Sequence, residues 1–494
     1  MLVILASSLP ILITCAIIYF DFDARLGDYR PYAFQGSFND ETGYWLWVRS
    51  FSQYGFQTGY NVPSERPAPA PFNHFGAGSP LYVYMYGAIG RLVGWVSQLP
   101  ILINFILLFA ALNLFILILK LDSLQILFIG LVVTLFWPVL LFLPTSFQET
   151  LNQSIGILMA LVLFLLLDSR VASPVAKSLI VLFVFISALT RLSWGFLLFP
   201  VIFLCLDGKM LTRSSVTILL GSTLLISSVL LTNYLVPPEN NSLFRALRPQ
   251  NASMIGVLIQ RAFEQWMYLW RHKDSSSFIV VFEMIAVITW GGVRILVLLR
   301  KKLPLKTLVY GASLFDMYNL STLLTAGFIV YLAHGFGRTF TPAVLVSVFL
   351  MIARKEYKLI SVLLIVNILF SPAFFGELYP AVAYNFTAKI PGLPLSEELT
   401  HEFIVFDDET DNPWCNTLLI PLDMYDYRLT AIPPGIGVSY IDRWKSIEFP
   451  LKSKYLLLDQ ESSEYIRKRI DVEKMVSLPI GDLFYNLESG CDTK

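Results

Sequence analysis

LPILINFILLFAALNLFILIL, residues 99 to 119, runs for twenty-one residues without a charge. At a rise of about 1.5 Å per helical residue, such a run matches the roughly 30 Å of hydrocarbon in a bilayer. Comparable runs recur near residues 2–20, 123–143, 153–168, 178–190, 194–206, 215–236, 278–299, 307–333, 340–353 and 358–375. The chain is therefore expected to be an all-α polytopic membrane protein with about eleven spans. With 55% of its 494 residues hydrophobic and only 15% charged, it is too apolar for an ordinary soluble domain. Basic and acidic residues number 36 each. That balance gives no polyelectrolyte surface for nucleic acid, which is set aside as a partner.

The opening MLVILASSLPILITCAIIYF has neither a basic start nor a small-x-small cleavage site and reads as a retained first span. Lys120, Arg170, Lys177, Lys209, Arg213, Arg300–Lys302 with Lys306, and Arg354–Lys355 with Lys358 fall on alternate loops. The positive-inside rule makes that side cytoplasmic. Residues 21–98, 144–152, 237–277, 334–339 and everything after 376 then face outward, provided residues 79–95, SPLYVYMYGAIGRLVGW, lie along the surface as an interfacial helix. Two units follow: a transmembrane part, 1–375, with a large first outward loop, 21–98, and a soluble extracytoplasmic part, 376–494. In the second, NTLLIPL from Asn416 and KYLLLD from Lys454 are short β-like runs, and ESSEYIRKRI from Glu461 reads as a helix. A small α/β domain is expected there. Cys15 and Cys205 sit in apolar runs as small core residues, whereas Cys415 and Cys491 lie in the polar tail, where a single disulfide is allowed but not required.

FNDETGYWLWVRS, residues 38–50, places two carboxylates in the first outward loop, ahead of Tyr44, Trp45, Trp47 and Val48. If those apolar residues rest on the membrane interface, Asp40 and Glu41 stand at headgroup depth. A carboxylate there is placed to take a proton from an incoming hydroxyl or amine, which is general-base chemistry. The plain alternative is a solvated acidic pair at the start of a loop helix.

DETGY, followed by GFQTG and then GSPLYVYMYGAIGRLVGW, resembles the first outward loop of the GT-C glycosyltransferases, the group that includes protein O-mannosyltransferases and the lipid A aminoarabinose transferase. The motifs cover the first hundred residues, and topology extends the likeness to 375. The resemblance implies a GT-C-like bundle that moves a sugar from a polyprenyl-phosphate donor to a glycan, lipid or protein acceptor. It makes Asp40 the catalytic base, with Glu41 its neighbour or substitute, Tyr44 part of the motif and residues 79–95 the membrane-surface helix. The aminoarabinose branch has Lys-Pro-Pro-Leu where this chain has Gly78, Ser79, Pro80 and Leu81, so the basic residue is missing. His74 is the nearest substitute, and Arg338 in HGFGRTFTP and Arg191 in TRLSWG are the better placed cations for a donor phosphate. A snorkelling arginine at the interface is the alternative for both. Glu149 in PTSFQET lies in an outward turn that the family uses to line its cavity.

No cofactor is called for. The D-x-D at Asp21 and Asp23 gives weak grounds for a divalent metal, and an acidic boundary at the end of span one explains it equally well. No P-loop, dinucleotide-binding fingerprint, Cys/His zinc cluster or nucleophile elbow occurs. A transporter or flippase of a lipid-linked glycan is the main alternative, although no internal repeat supports it. A non-catalytic scaffold of the same architecture is another. The expected setting is a bacterial inner membrane, or the endoplasmic reticulum membrane in a eukaryote, with the site and the tail domain outside. Asn-x-Ser/Thr triplets at Asn152, Asn240, Asn251 and Asn385 all fall outside in this topology.

Overall fold

In the computed structural model the described residues are 1–31, 39–55, 61–63, 80–206, 208–235, 337–387, 412–421, 436–441, 449–478 and 481–491, with isolated positions at 260, 264, 296, 300, 403–405, 407 and 410. The helices are α1 (Leu2–Ala16), α2 (Asn39–Tyr54), α3 (Pro80–Val93), α4 (Leu99–Leu119), α5 (Ser123–Leu135), α6 (Trp137–Phe142), α7 (Glu149–Leu167) and α8 (Pro174–Thr190). After them come α9 (Leu198–Cys205), α10 (Met210–Leu235), α11 (Gly337–Ala353), α12 (Tyr357–Thr387) and α13 (Gln460–Ile466). Among the described residues, four helices are long and apolar enough to cross a membrane: 2–21, 99–119, 149–167 and 211–232. Apolar helices at 123–135, 174–190, 192–205, 341–353 and 357–369 are shorter. The expected spans at 278–299 and 307–333, and the stretch 237–277, lie outside the described residues.

Several boundaries differ from the sequence expectation for identifiable reasons. The apolar run 123–143 is two helices, because Pro138 enters at the start of α6 and cannot donate to a continuing α5 ladder. Arg191 is extended (φ −154°) and ends α8, so the expected span from 194 begins with a 3-10 turn, Leu192–Leu197, before α9. Helix α1 passes into a π-helical turn, Ile17–Asp21. Helix α12 continues twelve residues past position 375, through Thr387, into what the sequence assigned to the tail.

The α4–α5 connection shows how the helix ends are tied. Lys120 closes α4 in the left-handed conformation, and Asp122 caps α5, its carboxylate accepting from the Gln125 N–H at 2.9 Å. The Gln125 amide reaches the Ile352 carbonyl at 2.9 Å, and Lys355 pairs with Asp122 at 2.8 Å. The basic ends of α4 and α11 are thereby held together. Further along, α7 and α11 touch backbone to side: a Cβ on Gly156 would stand 2.6 Å from the Pro342 carbonyl oxygen, so only glycine permits this approach. Large apolar side chains such as Ile106 and Leu117 on α4 and Ile218, Leu219 and Leu230 on α10 are exposed. Such a surface is unfavourable in water and suits a hydrocarbon solvent.

Among the described residues, the tail supplies five strands of a six-stranded sheet of order β1-β3-β2-β4-β6-β5. Its strands are β1 (Asn61–Pro63), β2 (Thr417–Pro421), β3 (Gly437–Ile441), β4 (Tyr455–Leu458), β5 (Val472–Leu478) and β6 (Gly481–Asn486). The first four in that order are parallel, and β6 and β5 are antiparallel. Strand β4 is buried throughout, as a central strand of YLLL composition should be. Strand β1 lies between α2 and α3, so this sheet is completed by a segment from near the start of the chain. Cys415 and Cys491 form a disulfide that closes 76 residues, whereas Cys15 and Cys205 are in no disulfide and are partly buried.

Candidate functional site

The turn between α6 and α7, Leu143–Gln148, is where α2, α3, α4 and the segment around Tyr29 converge. It is buried almost throughout, and its backbone groups are satisfied by side chains from four elements, as a buried turn requires. Asn104 of α4 donates to the carbonyls of Thr145 (2.8 Å) and Leu143 (3.2 Å) and accepts from the Tyr86 hydroxyl (2.6 Å). The Tyr82 hydroxyl donates to the Ser146 carbonyl. Tyr82 and Tyr86 are four residues apart on α3, so one helix face delivers both hydroxyls to the turn. The Gln148 amide donates to the Tyr44 hydroxyl at 3.0 Å.

Glu41 lies at the centre of this arrangement and is fully buried. Its Oε1 accepts from the Tyr29 hydroxyl (2.6 Å) and the Ser146 N–H (2.9 Å), and its Oε2 accepts from the Asn385 amide (2.7 Å). The Ser146 hydroxyl returns to the Glu41 carbonyl at 3.1 Å. Burial raises the Glu41 carboxyl from 4.5 to about 7, against the opposing effect of its three donors, and the nearby Glu149 carboxylate raises it further. Burial also holds the Tyr29 phenol well above its usual range, with the Glu41 carboxylate adding to the shift. Both Glu41 oxygens are engaged by the protein's own donors. The carboxylate thus serves as a clasp joining α2, the Leu26–Asp28 turn with Tyr29, the α6–α7 turn and the end of α12.

Of the sequence-derived candidates, the structure brings together Glu41, Tyr44, Glu149 and Arg191. Glu149 opens α7 and pairs with Arg191 at 3.4 Å, both side chains largely buried. Position 40 is in the first turn of α2, about 100° around the helix from position 41, so the two residues occupy different faces. Arg338 is in the first turn of α11, four residues or about 6 Å before Pro342. Asn104, near the start of α4, holds the turn that leads into α7, and the far end of α4 is tied to the end of α11 through Gln125 and Asp122, so the starts of α7 and α11 are at the same end of the bundle. The side chains of Asp40 and Arg338, and all of His74, lie outside the described residues.

The aromatic residues after the acidic pair do not form a lipid-facing stripe. Tyr44, Trp45 and Val48 are buried against protein: the Trp45 N–H donates to the Ser97 carbonyl at 2.9 Å, and Tyr44 meets Tyr82 and Phe147 edge to face. Arg49 lies over the Trp45 ring. Asn152 accepts from the Trp194 N–H at 3.0 Å inside the bundle and Asn385 donates to Glu41, so both asparagines are buried and engaged in the fold. Asp21 accepts from the Tyr379 hydroxyl, and among the described residues no three His, Cys, Asp or Glu side chains gather to hold a metal.

Sequence reasoning did not find Tyr29, Tyr82, Tyr86, Asn104, Ser146 or Asn385. The i, i+4 tyrosines of LYVYMY carried a usable signal, whereas Asn385 was read only as part of a triplet. In comparisons with known proteins, no family model, no curated protein and no solved structure matches the chain.

Proposed function

We propose that this chain is a membrane glycosyltransferase of GT-C type, with about eleven spans and its site on the outer side. It moves a sugar from a polyprenyl-phosphate donor to an outward acceptor. The observation that carries the reading is the clasp at Glu41, which fixes the acidic start of α2 against the outward ends of α7 and α12. With Glu41 committed to internal donors, Asp40 is the carboxylate left for chemistry. Asp40 takes the proton of the acceptor hydroxyl or amine as the acceptor atom bonds to the sugar C1. The bond from C1 to the phosphate oxygen breaks with its electron pair on the phosphate, and polyprenyl phosphate leaves. The proton then passes from Asp40 to water.

Arg338 and Arg191, with His74 in the loop, supply positive charge for the leaving phosphate, Arg191 being held by Glu149. The basic helix ends gathered near Asp122 support a cytoplasmic assignment for the opposite side. The tail disulfide supports an oxidising, extracytoplasmic compartment for the sheet. Mass spectrometry of lipid that co-purifies with the protein tests the substrate class. Polyprenyl phosphate or its glycoside is expected well above its share in the parent membrane; lipid indistinguishable from that membrane would count against the reading.

A further inference from the structure

We infer that Asn385, in the last turn of α12, is a positioning residue for the acidic first turn of α2, so that the C-terminal segment forms part of the frame of the site. The inference rests on the proposed function only in naming what α2 presents. Its geometric basis is separate. Asn385 contributes its amide to Glu41 Oε2 and its carbonyl to the Arg30 N–H at 2.8 Å, bridging the two stretches on either side of residues 32–38. The next residue, Phe386, packs on Phe22 and Tyr29 with ring centres 5.8 and 5.4 Å away. A second attachment repeats the linkage farther along the loop, where β1 pairs in parallel with β3 of the tail sheet. Two parts of the first outward loop, residues from Phe22 to Glu41 and strand β1, are thus held by residues that follow the last helix of the bundle or terminate it.

Other groups facing the clasp are Tyr29, Tyr82, Ser146 and Glu149, the last paired with Arg191. None of them replaces the Asn385 amide at Oε2. The Asn385 Oδ1 has no hydrogen-bond partner, so the amide is free to turn over and accept instead of donate. This makes a polarity exchange feasible. In Glu41→Gln with Asn385→Asp, the glutamine keeps Oε1 for Tyr29 and Ser146 and donates its N–H to the new carboxylate.

Hydrogen exchange of the full-length protein in nanodiscs, followed by mass spectrometry of peptides from α2, α4 and α7, provides the test. Asn385→Leu is expected to speed exchange in α2 at least tenfold, with α4 changed less than twofold. Asn385→Asp alone sets a second carboxylate against Glu41, and its excess over the wild-type rate is expected to grow from pH 5 to pH 8. The double exchange is expected to return α2 to within threefold of wild type. An α2 unaffected by Asn385→Leu, or loosening of the whole bundle that the exchanged pair does not rescue, would overturn the inference. Should the wild-type protein transfer no sugar while α2 responds as stated, the proposed function fails and the positioning role stands.

Discussion

Glu41→Gln is expected to be more stable than the wild-type protein at pH 8, and the two are expected to converge as the pH falls toward 4.5. A carboxyl raised from 4.5 to about 7 in the folded state holds its proton more tightly there than in the unfolded chain. Its stabilising contribution is complete below about pH 4.5, declines as the pH rises through about 7 and is flat above that. The span of about 2.5 pH units corresponds to about 3 kcal/mol. Glutamine does not titrate and removes this loss while retaining the hydrogen bonds, because Asn385 can turn its unpartnered oxygen to accept. Glu41→Ala is the contrasting case. It strands the Asn385 amide in a buried site, at about 1 to 3 kcal/mol, and leaves the Tyr29 hydroxyl and the Ser146 N–H only their second contacts, to the Ser146 hydroxyl (2.9 Å) and the Tyr29 hydroxyl (3.1 Å). Denaturant unfolding of the purified proteins at pH 5 and pH 8 measures both. A glutamine variant weaker than wild type at pH 8 would show that the ionised carboxylate is favoured where it lies.

Under the proposed function, Asp40→Asn is expected to reduce sugar transfer by about 10²- to 10⁴-fold, the range associated with loss of a general base. The amide has almost the same shape but cannot take the acceptor's proton, so donor binding and the fold of α2 are expected to survive. Glu41→Gln, by contrast, stays within about tenfold of wild type, because an amide that keeps the clasp keeps α2 in place. The two substitutions separate two adjacent carboxylates by role. Initial rates of polyprenyl-phosphate release, compared at equal protein concentration, decide between them. An inert Glu41→Gln beside a fully active Asp40→Asn would transfer the base assignment to Glu41.

The helical bundle and the mixed tail were legible because both rest on local pattern. An uncharged run such as 99–119 allows little besides a helix, and YLLL between Lys454 and Asp459 sits as a buried strand. Pro138 was hidden by apolar neighbours on both sides, although its missing N–H splits the run. Strand β1 was not legible. Three residues, Asn61–Pro63, owe their strand geometry to β3, nearly four hundred positions later. The acidic pair was legible as a feature, but the burial of Glu41 was not, because it depends on the turn at Ser146 and on Asn385, both distant in sequence. Tyr44 and Trp45 read as interfacial because an aromatic residue suits lipid headgroups and a protein interior equally well; the tyrosines of α3 and the carbonyl of Ser97 settle the matter.

The central claim is that a glycosidic bond to a polyprenyl phosphate is broken on this protein. Reconstituting the wild-type chain in sealed vesicles with radiolabelled polyprenyl-phosphate hexoses and pentoses, and a membrane extract as acceptor source, tests it directly. The account predicts that one of these donors is consumed, releasing one polyprenyl phosphate for each sugar that appears on an acceptor. Labelled donor that crosses the bilayer with its glycosidic bond intact, or that stays unconsumed across the whole panel, would contradict it.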